Sequence, residues 1–127
     1  MRTLTDHKLN GLNEALKIQV LDEPGQGGAC HVYQIFVDES QTTLAPGVTV
    51  HTTIAFQNGP IKESGVNGIS QEALLAVVID RLRCFQAGPF ACYENGQALV
   101  RIEEGLMWLQ KRTRDRLARG VEGTNAK

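Results

Sequence analysis

The stretch Val48-Thr49-Val50-His51-Thr52-Thr53-Ile54-Ala55-Phe56-Gln57-Asn58-Gly59-Pro60 contains the point at which the chain changes its period. Up to Phe56, the residues Val48, Val50, Thr52, Ile54 and Phe56 alternate with Thr49, His51, Thr53 and Ala55. Successive side chains on a strand point to opposite faces, so this spacing lays one apolar row on one face of a sheet. Asn58-Gly59-Pro60 is a strong break signal. Beyond it, Leu74, Leu75, Val78, Ile79, Leu82 and Phe85 recur at steps of three and four, which is the spacing of one helical face.

Upstream of the break the reading stays β-like. Residues 16–21 form a short strand, and Glu23-Pro24-Gly25-Gln26-Gly27-Gly28 is a turn-rich loop. His31-Val32-Tyr33-Gln34-Ile35-Phe36-Val37 is rich in β-formers, and turns follow at 38–43 and 45–47. Residues 1–60 are therefore expected to form a small antiparallel β-sheet of about three or four strands. Downstream, Ser70 is placed to cap a helix, with Glu72 in its first turn. That helix ends near Ala87, where Gly88-Pro89 stops it. A second helix runs from Phe90 or Cys92 to Arg119, with an inner row of Leu99, Ile102, Leu106 and Leu109 and Trp108 beside it. Gly120 ends this helix, and the short connection makes residues 61–127 a helical hairpin. The tail 121–127 is small and polar and is expected to fray. The class is α+β, in one compact domain overall.

Size and composition bound the function. A chain of 127 residues with net charge −1 shows no bulk attraction for a nucleic acid polymer. No segment has the ~18 apolar residues that suggest a membrane span. The first eight residues are polar and carry no apolar signal core, so a cytosolic location is expected. The three cysteines, Cys30, Cys84 and Cys92, show no CxxC spacing and are expected to be reduced structural thiols.

The second helix ends in Lys111-Arg112-Thr113-Arg114-Asp115-Arg116-Leu117-Ala118-Arg119, five cations and one acid in nine residues. Arg112, Arg116 and Arg119 share one face at i, i+4 and i+7. A guanidinium is planar, permanently charged and two-pronged, a fit for phosphate oxygens. The helix dipole also favours cations at this end with no ligand at all. The use of arginine in place of lysine leans toward phosphate. At the hairpin corner, Phe85-Gln86-Ala87-Gly88-Pro89-Phe90-Ala91-Cys92-Tyr93-Glu94-Asn95 gathers aromatics that can stack on a base and an amide that can bond one. Phe90 reads as a hydrophobic staple of the second helix, while Phe85 suits either stacking or the end of the first helix's apolar stripe. Asn95 and Arg112 lie about 25 Å apart at 1.5 Å per helical residue. One small ligand reaches both only where two hairpins meet antiparallel about a two-fold axis.

Other constellations are poorer. The Gly25–Gly28 loop is followed by no Lys-Ser/Thr and no helix start, and so reads as a hairpin loop. His7, His31 and His51 are scattered and match no metal-ligand spacing. Cys92 sits near a helix start but has no histidine nearby in sequence to act as its base. The Glu103-Glu104 pair cannot turn both acids toward one substrate. No catalytic set and no cofactor motif emerges.

The blocks Phe56-Gln57-Asn58-Gly59-Pro60-Ile61-Lys62-Glu63, Gly65-Val66-Asn67-Gly68, Glu72-Ala73-Leu74-Leu75, Asp80-Arg81-Leu82 and Phe85-Gln86-Ala87-Gly88-Pro89-Phe90 form a first group. Glu94-Asn95, Glu103-Glu104, Trp108, residues 111–116 and Gly120-Val121-Glu122-Gly123-Thr124 form a second. Together they resemble the helical-hairpin domain shared by the phage Thoeris anti-defence and anti-CBASS sponge families. Pro24-Gly25-Gln26-Gly27-Gly28-Ala29 and His31-Val32-Tyr33 point to the first Thoeris anti-defence family. The resemblance implies a non-enzymatic protein of the host cytoplasm. It would bind glycocyclic ADP-ribose and withhold it, in pockets formed by homodimers that in some members assemble into hexamers. It also implies cyclic oligonucleotides of CBASS systems as ligands of some members, at separate sites. Carried over by position, Phe85 stacks on adenine, Asn95 makes a polar contact, Arg112 and Arg116 hold the phosphates, and Lys62 supplies a further basic contact. Tyr93 and Gly96 depart from the expected pattern. The competing reading is an interaction module, in which the hairpin dimerises and its arginines dock an acidic protein or a nucleic acid.

Overall fold

A computed structural model describes residues 1–127, the side chains of Gln26 and Glu39 excepted. The alternating half is a four-stranded antiparallel sheet of β1 (Arg2–Leu4), β2 (Leu16–Val20), β3 (Val32–Val37) and β4 (His51–Ala55), in spatial order β1-β2-β3-β4. Arg2 lies opposite Val20, Ile18 opposite Ile35 and Tyr33 opposite Ile54. The α+β class read from the sequence is the class observed. The described residues divide into two compact units, Met1–Gly59 with Val66–Gly68, and Pro60–Gly65 with Ile69–Lys127.

In the first unit Val20 is fully buried, with Cys30 and His31 nearly so. Tyr33 and Phe56 meet edge to face at 5.6 Å between ring centroids, a favoured aromatic geometry. The loop between β2 and β3 is the hairpin loop the sequence suggested. Gly27 and Gly28 take φ of 77° and 84°, a region open to glycine at no steric cost. The Asp22 carboxylate accepts the backbone N–H groups of His31 (2.8 Å) and Val32 (3.0 Å). The bonds from Val32 and His31 hold its carboxyl below the usual carboxylate range. Residues 57 and 58 are stitched to Asn67. The Asn67 side chain accepts from the Asn58 N–H and donates to the Asn58 carbonyl, both at 2.8 Å.

Several elements differ from expectation. The last strand begins at His51, and Val48 and Val50 stand exposed before it, although Val37 N–H still reaches the Val50 carbonyl at 3.1 Å. The polar N-terminus contributes β1, a strand of three residues. That is too short to show a period, and it exists because β2 offers an edge to pair with. A one-turn helix α1 (Gly11–Ala15) precedes β2, capped by Asn10, whose side chain accepts the Asn13 N–H at 3.0 Å. A second short helix, α2 (Ile61–Ser64), follows Pro60.

The second unit carries the hairpin. α3 (Gln71–Gln86) starts at Ser70, whose hydroxyl accepts the Ala73 N–H at 3.1 Å, and α4 (Tyr93–Ala118) starts at Cys92. The turn between them is held by the Gln86 side chain. It accepts the Cys92 N–H and donates to the Cys92 carbonyl, both at 3.0 Å, so the amide stands in for a backbone partner. Arg83 and Glu103 bridge the two helices at 2.7 Å. Leu74, Leu75 and Leu82 of α3 and Leu99, Ile102, Leu106 and Leu109 of α4 are half-buried, and Ile79 is buried. Val78 and Phe85, placed by periodicity on the same stripe, are exposed. Residues 121–127 do not fray as a polar tail should. They fold back on α4, and Gly123 is buried.

Candidate functional site

The basic end of α4 borders a cleft of about 330 Å³, lined by Lys111, Arg112, Arg116, Arg119 and Lys127, with Trp108 and Asp115. α4 supplies most of this wall because residues 108, 112 and 116, and 111, 115 and 119, fall at helical repeats on adjoining rows. The Arg112 side chain is exposed and makes no hydrogen bond or ion pair among the described residues. Lys111 is engaged with Asp115 at 2.7 Å, and this hydrogen bond, with the nearby Arg114 and Arg119 charges, holds the Asp115 carboxyl below its ordinary range.

Arg116 is placed differently from its neighbours. It is only 7% exposed. Its Nε donates to Glu122 at 3.0 Å, and its Nη2 to the carbonyls of Val121 at 2.9 Å and Thr124 at 3.1 Å. Nη1 donates to the carbonyl of Ala126. Lys62, on α2, joins the same neighbourhood through its backbone, whose N–H donates to the Gly123 carbonyl at 3.2 Å.

Phe85 and Asn95 lie at the other end of the hairpin. Phe85 is 42% exposed and borders a groove of about 400 Å³ with Asp80, Arg81 and Cys84. The Arg81 guanidinium stands 5.7 Å from the Phe85 ring centroid, within cation–π range. Asn95 is half-buried in the first turn of α4. The fold thus gathers Lys62, Arg112 and Arg116 at one end of the hairpin and Phe85 and Asn95 at the other.

Sequence reading missed three contributors. Trp108, assigned beside the inner row, is 59% exposed and faces the cleft. Its signal was there in its position four residues before Arg112. Arg81 lies four residues before Phe85, a spacing that also puts it on the aromatic's face. Glu122 had no local signal. What the cleft offers chemically is positive charge beside an aromatic surface. Cys30, Cys84 and Cys92 are all free thiols. Among the described residues, no cluster of His, Cys, Asp and Glu is arranged to hold a metal ion, and no helix is long and apolar enough to cross a membrane.

Thoeris anti-defense 1 of Bacillus phage SBSphiJ7 is 53% identical over 75 residues, which cover 59% of this chain and 53% of that protein. The chain thus spans about half the length of the curated relative it matches. Residues 48–114 match the family described as "Acb2/Tad1, hairpin domain", a span that takes in the break at 58–60, both long helices as far as residue 114, and Phe85, Asn95 and Arg112. With that span covering more than half of its residues, the chain belongs to the Acb2/Tad1 hairpin-domain family.

Proposed function

We propose that this chain is a phage anti-defence protein that binds glycocyclic ADP-ribose, the Thoeris signal, in the host cytoplasm and withholds it without degrading it. The observation that carries the reading is the basic cleft. A free Arg112 beside Trp108 lies on a hairpin whose family includes a Thoeris anti-defence protein. Phe85, Asn95, Arg112, Arg116 and Lys62 are the proposed contacts. A ligand that is held and not cleaved needs no acid, base or metal. It needs preformed contacts, which lower the ordering cost of binding.

One hairpin keeps Asn95 and Arg112 about 25 Å apart along α4, so the proposed pocket needs two chains running antiparallel. The exposed apolar side chains of the hairpin support such an assembly. Val77, Val78, Phe90, Tyr93, Val100, Met107 and Leu117 all stand in solvent in a single chain, apolar surface that a second hairpin would cover. Light scattering at micromolar concentration is expected to give a dimer or a trimer of dimers, and a monomer would reject the shared pocket.

The deciding experiment incubates pure protein with glycocyclic ADP-ribose, removes the protein by filtration and then heats it. Intact ligand released by heat supports sequestration. Degraded ligand means an enzyme. No depletion, together with steeply salt-dependent binding to nucleic acid, means the interaction module.

A further inference from the structure

A guanidinium has five N–H donors. Arg116 directs four hydrogen bonds into residues 121–126, at Glu122, Val121, Thr124 and Ala126. Its position in the cleft wall is therefore not that of a free two-pronged phosphate binder. Its charge is also matched by Glu122, whose carboxylate lies 3.0 Å from Nε with the Arg116 side chain 8% exposed. The segment it holds is fastened at other points as well. The Lys62 N–H donates to the Gly123 carbonyl at 3.2 Å, and Arg119 donates to the backbone oxygen of Lys127 at 2.6 Å. Gly120 and Gly123 take φ of 73° and 79°, which lets the chain turn back along the helix. A Cβ on Gly123 would stand 3.2 Å from the side chains of Ile61 and Lys62. The strap brings Lys127 to the wall of the cleft that holds Arg112.

Glu122 sits poorly with a site for anions if its charge is all that matters, because a carboxylate near a phosphate is repelled. Its geometry gives it a different task. We propose that Glu122 is a positioning residue for phosphate binding: paired with Arg116, it fastens residues 121–126 to α4 and so holds Lys127 in the wall of the basic cleft. Arg116 then contributes charge and the anchoring of the strap, and the two-pronged phosphate contact falls to Arg112. The proposal rests on the nucleotide-binding reading above and adds to it how the two arginines divide the work: Arg112 makes the two-pronged contact, and Arg116 adds its charge while holding the strap.

Two opposing effects separate this role from simple electrostatics. Removing the Glu122 charge should tighten binding of an anion if Glu122 only repels it, and should weaken binding if Glu122 holds the wall. Full-length wild type, Glu122→Ala and Glu122→Gln are titrated with glycocyclic ADP-ribose by calorimetry. Amide hydrogen exchange over residues 121–126 is followed without ligand. Glu122→Ala is expected to exchange faster across the strap and to bind about tenfold more weakly, some 1.4 kcal/mol. Glu122→Gln keeps an acceptor oxygen for Arg116 Nε and is expected to restore most of the affinity. Unchanged or tighter binding by Glu122→Ala would overturn the proposal. So would weaker binding with unchanged exchange, or a glutamine variant as weak as the alanine one. If wild type binds no glycocyclic ADP-ribose, the nucleotide reading falls and the positioning role with it. Binding by wild type with any of the three contrary results removes the positioning role alone.

Discussion

Replacing Arg112 with alanine is expected to weaken binding of glycocyclic ADP-ribose by about 2–5 kcal/mol, the cost of removing one partner from a desolvated charge contact. Each 1.4 kcal/mol is about tenfold in dissociation constant, so the variant should lose most measurable affinity at micromolar concentration. The fold should survive. The Arg112 side chain is exposed and has no protein partner among the described residues, and it lies more than a turn inside the end of α4, so even the dipole benefit falls below about 0.3–1 kcal/mol. Arg114→Ala is the control. Two residues along a helix rotate a side chain by about 200°, and Arg114 does not line the cleft. A strong loss at Arg112 with Arg114 neutral, read by calorimetry, supports a specific phosphate site. Equal losses at both positions would mean a diffuse basic surface and favour docking of an acidic partner. Arg116→Ala is less clean, because it removes a cation and releases the strap together.

Gly68→Ala is expected to destabilise the first unit by about 3 kcal/mol, at the upper end of the usual overpacking range. The glycine is needed for close approach, not for its φ. A Cβ there would stand 2.4 Å from the Phe56 carbonyl carbon and 2.6 Å from both the Phe56 oxygen and the Gln57 nitrogen. All three are main-chain atoms, and none can swing aside as a flexible side chain does. Relief requires moving residues 56–57, next to the contacts by which Asn67 holds Asn58 and Gln57. Gly105→Ala provides the contrast. It lies inside α4 with nothing within 4 Å of its Cβ position, so alanine there should stabilise the helix by up to about 1 kcal/mol. Denaturant midpoints that fall for Gly68→Ala and hold or rise for Gly105→Ala meet the expectation. Equal midpoints for Gly68→Ala and wild type would refute the close approach.

The legible parts of the fold were those coded by short-range physics. The Ser70 cap and the stop at Gly88-Pro89 bound α3 within a residue or two of its observed ends, and Gly120 follows α4. The strands at 16–20 and 32–37 were readable from β-branched and aromatic content. The one-turn elements α1 and α2 and the three-residue β1 were not, because fewer residues than a full period show no periodicity. Val78 and Phe85 show the limit of the stripe itself. Spacing says which side chains share a face, and leaves open how far the partner helix reaches to cover it.

The sequence by itself determined the switch of period near residue 60, the antiparallel hairpin and the gathering of arginines on the last turns of α4. Each of these follows from residues within a few positions of one another. Only the tertiary structure decided that Arg112 stands free while Arg116, one turn further on, is nearly saturated by residues 121–126. A helical wheel gives the two arginines the same direction. Which carbonyls come within 3 Å of a guanidinium depends on where the chain turns after the helix. That turn is set by Gly120, Gly123 and the packing of Lys62 against the returning segment.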